Sequence, residues 1–544
     1  MSWIDWTVMG AYLVGLVAFA AHRSRSQRDL QDYYLGGRRI RWWQSGASTM
    51  ATQLGAISFV SAPAFVALKE GGGLKWLCYE FGVPLGLLVV MVVILPILHR
   101  GHYVSIYEYL EERFDRGTRT FVSILFQLGR ALATAVTVLA GGLILSTALP
   151  ISTTLAIVII GAVTVFYDTL GGIRVVILSD FVQMIIIVVG IALSGGVALH
   201  VVGWDTAWQA LDPDRYRILN LGHWGVTREG EYGFWPMLFG GIFLYASYYG
   251  CDQSQVQREL SVGTIHGVRK SLLVNAFGRF PLVLMYCVMG VLVGAVFTSP
   301  PLLERLASGL ESTPAGVQAM LEQDPDRMVP MFVLALLPAG LVGLIFIAIL
   351  SALMSSLDSA INSLSAVTMQ DLYRVYVRPR ASDRHYLIAS KILTLFWGAF
   401  CVLAALAFAR AGQATRQTTI VLINAIGSLL YGPILAAFLL GMVTRTIRSF
   451  EVKAGVVVGI AVNVVLWQLS SLSWLWWNLT GFAATVAAAG FLSLFWMPED
   501  VRLLQSRLVQ SGAEMRAGWR PSDSTVVAYF FLIIMISYLI QTMA

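Results

Sequence analysis

Residues 351–363 read SALMSSLDSAINS, and they sit inside a stretch that is otherwise apolar from Met331 to Val367. On a helix, steps of three and four share a face. Ser351, Ser355, Asp358 and Asn362 therefore form one polar line, and Ala352, Ser356, Ser359 and Ser363 the line beside it. Unpaired polar groups are costly in hydrocarbon, and carboxylates at membrane depth mark function. Hydroxyl, carboxylate and carbonyl oxygens suit hard cations. Single membrane serines more often allow close helix contact or bond their own backbone. Five serines and an aspartate on two adjoining lines point instead to an ion site.

The surrounding chain reads as a polytopic membrane protein: 544 residues, 57% apolar, 12% charged, with a mean hydropathy of +0.72. Windows of about 20 apolar residues predict fourteen spans, near 4–21, 44–67, 76–98, 120–147, 152–167, 175–200, 235–250, 271–297, 331–367, 386–409, 418–442, 452–470, 473–496 and 523–542. The ninth is too long for one crossing and is expected to run past the membrane or to include a short surface helix. Cytoplasmic loops hold an excess of Lys and Arg. With the N-terminus outside, the inner loops carry 25 of the 37, including Arg23, Arg25, Arg28, Arg38, Arg39 and Arg41, and the outer loops 9. Both termini are then outside, and the net charge of +6 needs no nucleic-acid partner.

Other classes find no support. The leading MSWIDWT contains Asp5 and no basic residue, so the first span reads as a retained anchor rather than a signal peptide. Cys78, Cys251, Cys287 and Cys401 have neither paired nor zinc-ligand spacing. All seven histidines fall at helix ends or in loops. No nucleophile at depth has a histidine or lysine to activate it, so the chain is not expected to be an enzyme.

Two spans look broken. GASTMATQLGAISFVSAPAF sets Gly46, Gly55 and Pro63 among Thr49, Thr52, Gln53, Ser58 and Ser61. FGGIFLYASYYGCDQSQVQREL has Gly240, Gly241 and Gly250 before a polar end at Asp252, Gln253, Gln255 and Gln257. Discontinuous helices make ion and substrate sites near the midplane, and breaks in the second and seventh spans suit a pair of five-helix inverted repeats. Two unrelated glycine-rich packing helices would give the same composition.

The blocks DYYLGGRRIRWWQSGAS, SIYEYLEERF, TLGGIRVVILSDFVQ, DQSQVQREL, ALMSSLDSAINS and LLYGPILAAFLLG together resemble the sodium/solute symporter family, most nearly its bacterial sialic acid type carriers. The resemblance implies an all-α polytopic fold with a LeuT-like five-helix inverted-repeat core, one extra helix before it and three after. It divides the chain into an anchor helix and basic inner loop (1–43), a first repeat (44–201), an outer loop (202–234), a second repeat (235–442) and three C-terminal helices (443–544). It implies a sodium site from the carbonyls of Ala51, Leu54 and Ala352 and the hydroxyls of Ser355 and Ser356. A second sodium site would resemble Asp180 and Ser359 with Ser355 and Asp358, the last being an acid where many relatives carry a small neutral residue. Two such acids repel unless a cation lies between them or one is protonated. Substrate contacts would come from Gln53, Gly55, Ser58 and Tyr245, with Tyr248 as an inner gate.

Arg130 lies eleven residues into the fourth span, where an arginine needs a partner or a wet cavity. Its fork fits a carboxylate, and the resemblance gives it the substrate's carboxylate. The alternative is an internal pair with Glu80, Asp168 or Asp180; Asp168, beside Gly171 and Gly172, is expected in a loop. The expected function is a sodium-coupled secondary symporter in a plasma membrane, bacterial inner membrane by resemblance, importing a small polar, carboxylate-bearing solute by alternating access. Uptake of a neutral sugar or polyol, or a channel or solute sensor on the same scaffold, are the alternatives. No obligate protein partner is indicated.

Overall fold

The computed structural model describes residues 1–24, 27–149, 151–227, 231–410, 419–444, 446–495 and 519–543. Arg25, one of the inner-loop arginines, lies outside them. The described residues are 84% helix, with no strands. The helices that matter here are α1 (Trp3–Ser24), α2 (Trp42–Gln53), α3 (Ala56–Ala67), α4 (Leu74–Arg100), α5 (Arg116–Ala148), α6 (Thr153–Val202), α7 (Phe234–Cys251), α8 (Gln253–Leu260) and α9 (Ile265–Thr298). They are followed by α10 (Leu341–Val367), α11 (Asp383–Arg410), α12 (Thr419–Val443), α13 (Ser449–Leu469), α14 (Trp477–Leu494) and α15 (Pro521–Met543).

Among the described residues, eleven helices are long and apolar enough to cross a membrane, or twelve if the bent pair α2–α3 is one span. Two expected spans, 152–167 and 175–200, share α6, which turns at Gly172 with φ 60 and ψ −171. An L side chain rarely adopts that φ, and a Cβ there would also meet the Tyr33 carbonyl at 2.6 Å. The overlong ninth candidate divides into a short helix, Met328–Leu336, and α10.

Burial separates centre from periphery. The apolar window of α10 is 83% buried, that of α9 78%, but those of α1 and α11 22% and that of α15 17%. A helix apolar all round is stable at the centre only if its polar groups find partners, and α10, which carries SALMSSLDSAINS, packs along α6, α5, α1 and the broken pair α2–α3. The N-terminal helix braces it: one oxygen of Asp5 accepts from the Gly340 and Gly343 amides at 2.7 and 2.8 Å, capping its start.

One of the two expected breaks moves. The α2–α3 interruption falls at Leu54 (φ −90, ψ 61) and Gly55, with a bend of 52°. The second helix, by contrast, runs unbroken through Gly240, Gly241 and Gly250 and parts only at Asp252, which is extended and caps α8 by accepting from the Ser254 amide at 2.8 Å. Its glycines serve packing: a Cβ on Gly82 of α4 would lie 2.5 Å from the Gly241 carbonyl carbon, so those backbones touch directly.

Candidate functional site

The α2–α3 break and the face of α7 that carries Tyr245 and Tyr248 line one internal cavity of about 140 Å³. Gln53, Gly55, Ser58, Arg130, Tyr245 and Tyr248 all line it, as do Thr52 and Ser356. At its edge, the Ser355 hydroxyl lies 3.2 Å from the Ala51 carbonyl and 3.1 Å from that of Ala352. The Ser356 hydroxyl lies 3.0 Å from the Thr52 carbonyl and 3.3 Å from that of Ala352. Five hard oxygens thus converge where α2 loses its helical ladder and α10 passes. Leu54 sits at the break with its amide on the Met50 and Ala51 carbonyls. No hydrogen bond among the described residues ties its own carbonyl to Ser355 or Ser356.

The rest of the polar face of α10 divides among partners. Ser351 donates to Tyr12 of α1 at 2.8 Å, and Asp358 accepts from Tyr167 of α6. Asn362 donates to Asp168 at 3.2 Å and accepts from Gln257 at 2.8 Å. Among the described residues, Ser363 bonds only its own helix, at the Ala360 carbonyl. Asp168 is therefore a fully buried helical residue, not a loop residue.

Asp180 and Ser359, offered as a second ion site, both hold a cation from the protein itself. Arg258 of α8 is 0% exposed; its Nε donates to Ser48 at 2.7 Å, one Nη lies 3.0 Å from Asp180, and the same nitrogen donates to Ser359. Asp180 also accepts from Ser48 at 2.6 Å, and Thr52 meets Ser359 at 3.0 Å.

Arg130 pairs with none of the three acids considered for it. Glu80 is taken by Arg279 at 2.9 Å, Asp180 by Arg258, and Asp168 by Asn362. Its partner is Asp252 at the α7–α8 break, at 3.6 Å, with the Tyr248 hydroxyl at 3.5 Å and the Tyr248 ring centroid 5.7 Å from its guanidinium carbon. Its Nε is buried with no hydrogen-bond partner among the described residues.

The sequence profile of the sodium:solute symporter family matches residues 33–459. The chain belongs to that family. It is 26% identical over 517 residues to the sodium/sialic acid symporter SiaT of Proteus mirabilis, covering 91% of this chain and 96% of that one. It is 29% identical over 445 residues to the human sodium/iodide cotransporter, covering 80% of this chain but 65% of the relative's length. A solved sodium-coupled sialic acid symporter, in a substrate-bound outward-open state, superposes with a TM-score of 0.79 at 24% identity, over 91% of this chain and 99% of that one. That likeness establishes the LeuT-like fold of this symporter-family chain. Members of the family are sodium-coupled carriers, not enzymes, and this one is a multi-pass membrane protein.

Reading by sequence missed several groups that this family member sets around the cavity. Arg279 and Glu80 form a buried pair in its wall, joined by Tyr245 donating to Glu80 at 3.0 Å and by Gln53 accepting from Arg279 at 2.7 Å. Tyr79, Asn424 and Tyr431 complete that side. The presence of Arg279 in an apolar span was the available signal, since an arginine at depth implies a partner. Arg258 gave none, because DQSQVQREL reads as a helix end at the surface.

Proposed function

We propose that this chain couples sodium influx to uptake of a small carboxylate-bearing solute, a sugar acid being the class that its sialic acid symporter relatives suggest, by alternating access. The observation that carries the reading is Arg130: a buried guanidinium in a cavity wall, with an unpartnered Nε and only a loose 3.6 Å ion pair. A carboxylate set against that edge would gain charge-assisted bonds at a fork built for them. On this reading Gln53, Gly55, Ser58 and Tyr245 hold the solute and Tyr248 closes the inner side. The Ser355 and Ser356 hydroxyls with the Ala51, Thr52 and Ala352 carbonyls take the sodium, Leu54 adding its carbonyl if the break relaxes. The two repeats are residues 44–201 and 235–442, with both termini outside. One sodium crossing a potential of about 100 mV supplies roughly 2.3 kcal/mol before its concentration gradient is counted.

The test is uptake into proteoliposomes with and without an imposed sodium gradient, using labelled acidic solutes and their neutral analogues. Sodium-dependent accumulation of an acidic solute, lost for its amide, is the expected result. Uptake of neutral sugars alone would replace the carboxylate reading with a polyol carrier, and uptake indifferent to sodium would overturn the coupling.

A further inference from the structure

The loop that leads into α2 has an unusual backbone. Gly36, Gly37 and Arg38 all lie in the left-handed region, at φ 58, 64 and 54. For arginine that conformation is disfavoured and must be held by its surroundings. Arg38 donates to the Tyr103 carbonyl at 3.1 Å and the Leu260 carbonyl at 3.5 Å, the Ile40 amide donates to the Ser261 carbonyl at 3.2 Å, and Arg39 pairs with Val262 as an isolated bridge. The loop is thereby pinned against the turn between α8 and α9, and it presents a row of arginines to one place.

That place is a cavity of about 300 Å³ lined by Arg38, Arg39, Arg41 and Trp42 on one side and by Gly263 and Thr264 on the other. No carboxylate lines it among the described residues. The first turns of α2 and α9 open at its rim, adding the positive ends of two helices of 12 and 34 residues to the arginine charge. Arg39, Arg41 and Trp42 are exposed, and the Lys270 ammonium lies 5.7 Å from the centre of the Trp42 ring. Tryptophan beside arginine and lysine at the end of a span marks headgroup depth, and the Lys and Arg distribution assigns this face to the cytoplasm.

We propose that this cavity binds a phosphate-bearing anion, supplied by the headgroup of an anionic phospholipid of the inner leaflet such as phosphatidylglycerol. The chemistry fits: guanidinium forks form paired bonds to phosphate oxygens, and basic pockets between helices on this side of a bilayer attract anionic headgroups. A headgroup seated here joins the start of α2 to the α8–α9 turn, so both inner half-helices of the broken pairs become sensitive to the charge of the leaflet.

The experiment uses the full-length protein in phosphatidylcholine nanodiscs, following amide exchange across 36–44 and 261–268 while dioctanoyl phosphatidylglycerol, inorganic phosphate or oleate is titrated in. Phosphatidylglycerol should protect both segments, with apparent affinity falling about fivefold for each of Arg39 and Arg41 replaced by Gln, from roughly 1 kcal/mol per basic residue. Equal protection by inorganic phosphate would assign the same site to a soluble anion. The proposal is overturned if neither phosphate compound protects, if oleate protects as well as they do, or if Arg39→Gln/Arg41→Gln leaves the protection unchanged. Both side chains are exposed, so the variant is expected to fold, and its exchange in pure phosphatidylcholine checks that it has.

Discussion

Arg258→Gln removes the guanidinium that stands where a second ion was expected. Arg258 and Asp180 are both 0% exposed and 3.0 Å apart, so the substitution strands a buried carboxylate. Stranding one member of a buried pair costs about 3–5 kcal/mol. Adding Asp180→Asn should return part of that loss, because the double variant no longer strands the Asp180 carboxylate; contacting residues of this kind couple by roughly 0.5–3 kcal/mol. Sodium gives the second arm. If the vacated space between Asp180 and Ser359 takes a cation, sodium at ten times its dissociation constant there should give the single variant about 1.4 kcal/mol by mass action beyond what the Ser355–Ser356 site gives every variant, and the double should show no such excess. Intrinsic tryptophan fluorescence on heating the purified protein, at several sodium concentrations against a choline control, reads the order of stabilities. The reasoning is refuted if Arg258→Gln unfolds at the wild-type temperature, or if the double variant is the least stable of the three.

Ser355→Ala and Ser356→Ala each delete one oxygen from the convergence on Ala51, Thr52 and Ala352, and each should raise the sodium concentration for half-maximal uptake by about tenfold, the order expected for a bond to a charged partner; unchanged sodium dependence in both would remove this face from the ion site. Arg130→Lys keeps the charge and loses the fork, so it should weaken acidic solutes at least tenfold while thermal stability stays near wild type, whereas full affinity in a solute-protection assay would leave Arg130 as only the partner of Asp252. Asp5→Ala uncaps α10, and loss of a helix cap costs about 1 kcal/mol, which should appear as a lower unfolding temperature with sodium affinity unaltered.

Much of the fold was legible because hydrophobic periodicity and length suffice to place spans, and the polar face of α10 was legible because hydroxyls and an acid at membrane depth must find partners. What stayed hidden depended on neighbours in space. Gly240 and Gly241 read as a break, but whether a glycine interrupts a helix or admits another backbone is decided by distant neighbours: Leu475 against Gly240, and Gly82, 159 positions away, against Gly241. Ser351 and Ser355 share one face, yet one meets Tyr12 and the other the Ala51 carbonyl, because α1 and α2 flank α10 at different heights. Asp358 similarly has Tyr167 as its partner, a residue with no signature in its own segment. Arg130 and Arg279 could be flagged from their apolar spans and Arg258 could not, and which acid each one takes was hidden for all three.

That assignment of partners bears directly on coupling. Arg258 and Arg279 hold their acids at 3.0 and 2.9 Å, whereas Arg130 shares Asp252 at 3.6 Å, and Asp252 is already committed to the Ser254 amide and hydroxyl. Of the three, Arg130 is therefore the guanidinium whose charge is least compensated, and it lies in the cavity beside the α7–α8 break. Under the proposed function, a solute carboxylate arriving there would compete with Asp252 for the guanidinium and so act on the residue that caps α8. On the other side of the cavity, the Thr52 carbonyl meets Ser356 at the proposed sodium site, while the next residue, Gln53, accepts from Arg279 and from Tyr249 in the solute wall. On the proposed assignment, ion and solute would lie one peptide unit apart at the α2–α3 break, and each would bear on a hinge that the other needs. A carrier that moves only when both are bound requires a link of that kind, because two ligands that act on the same hinges favour the same rearrangement and each raises the affinity for the other.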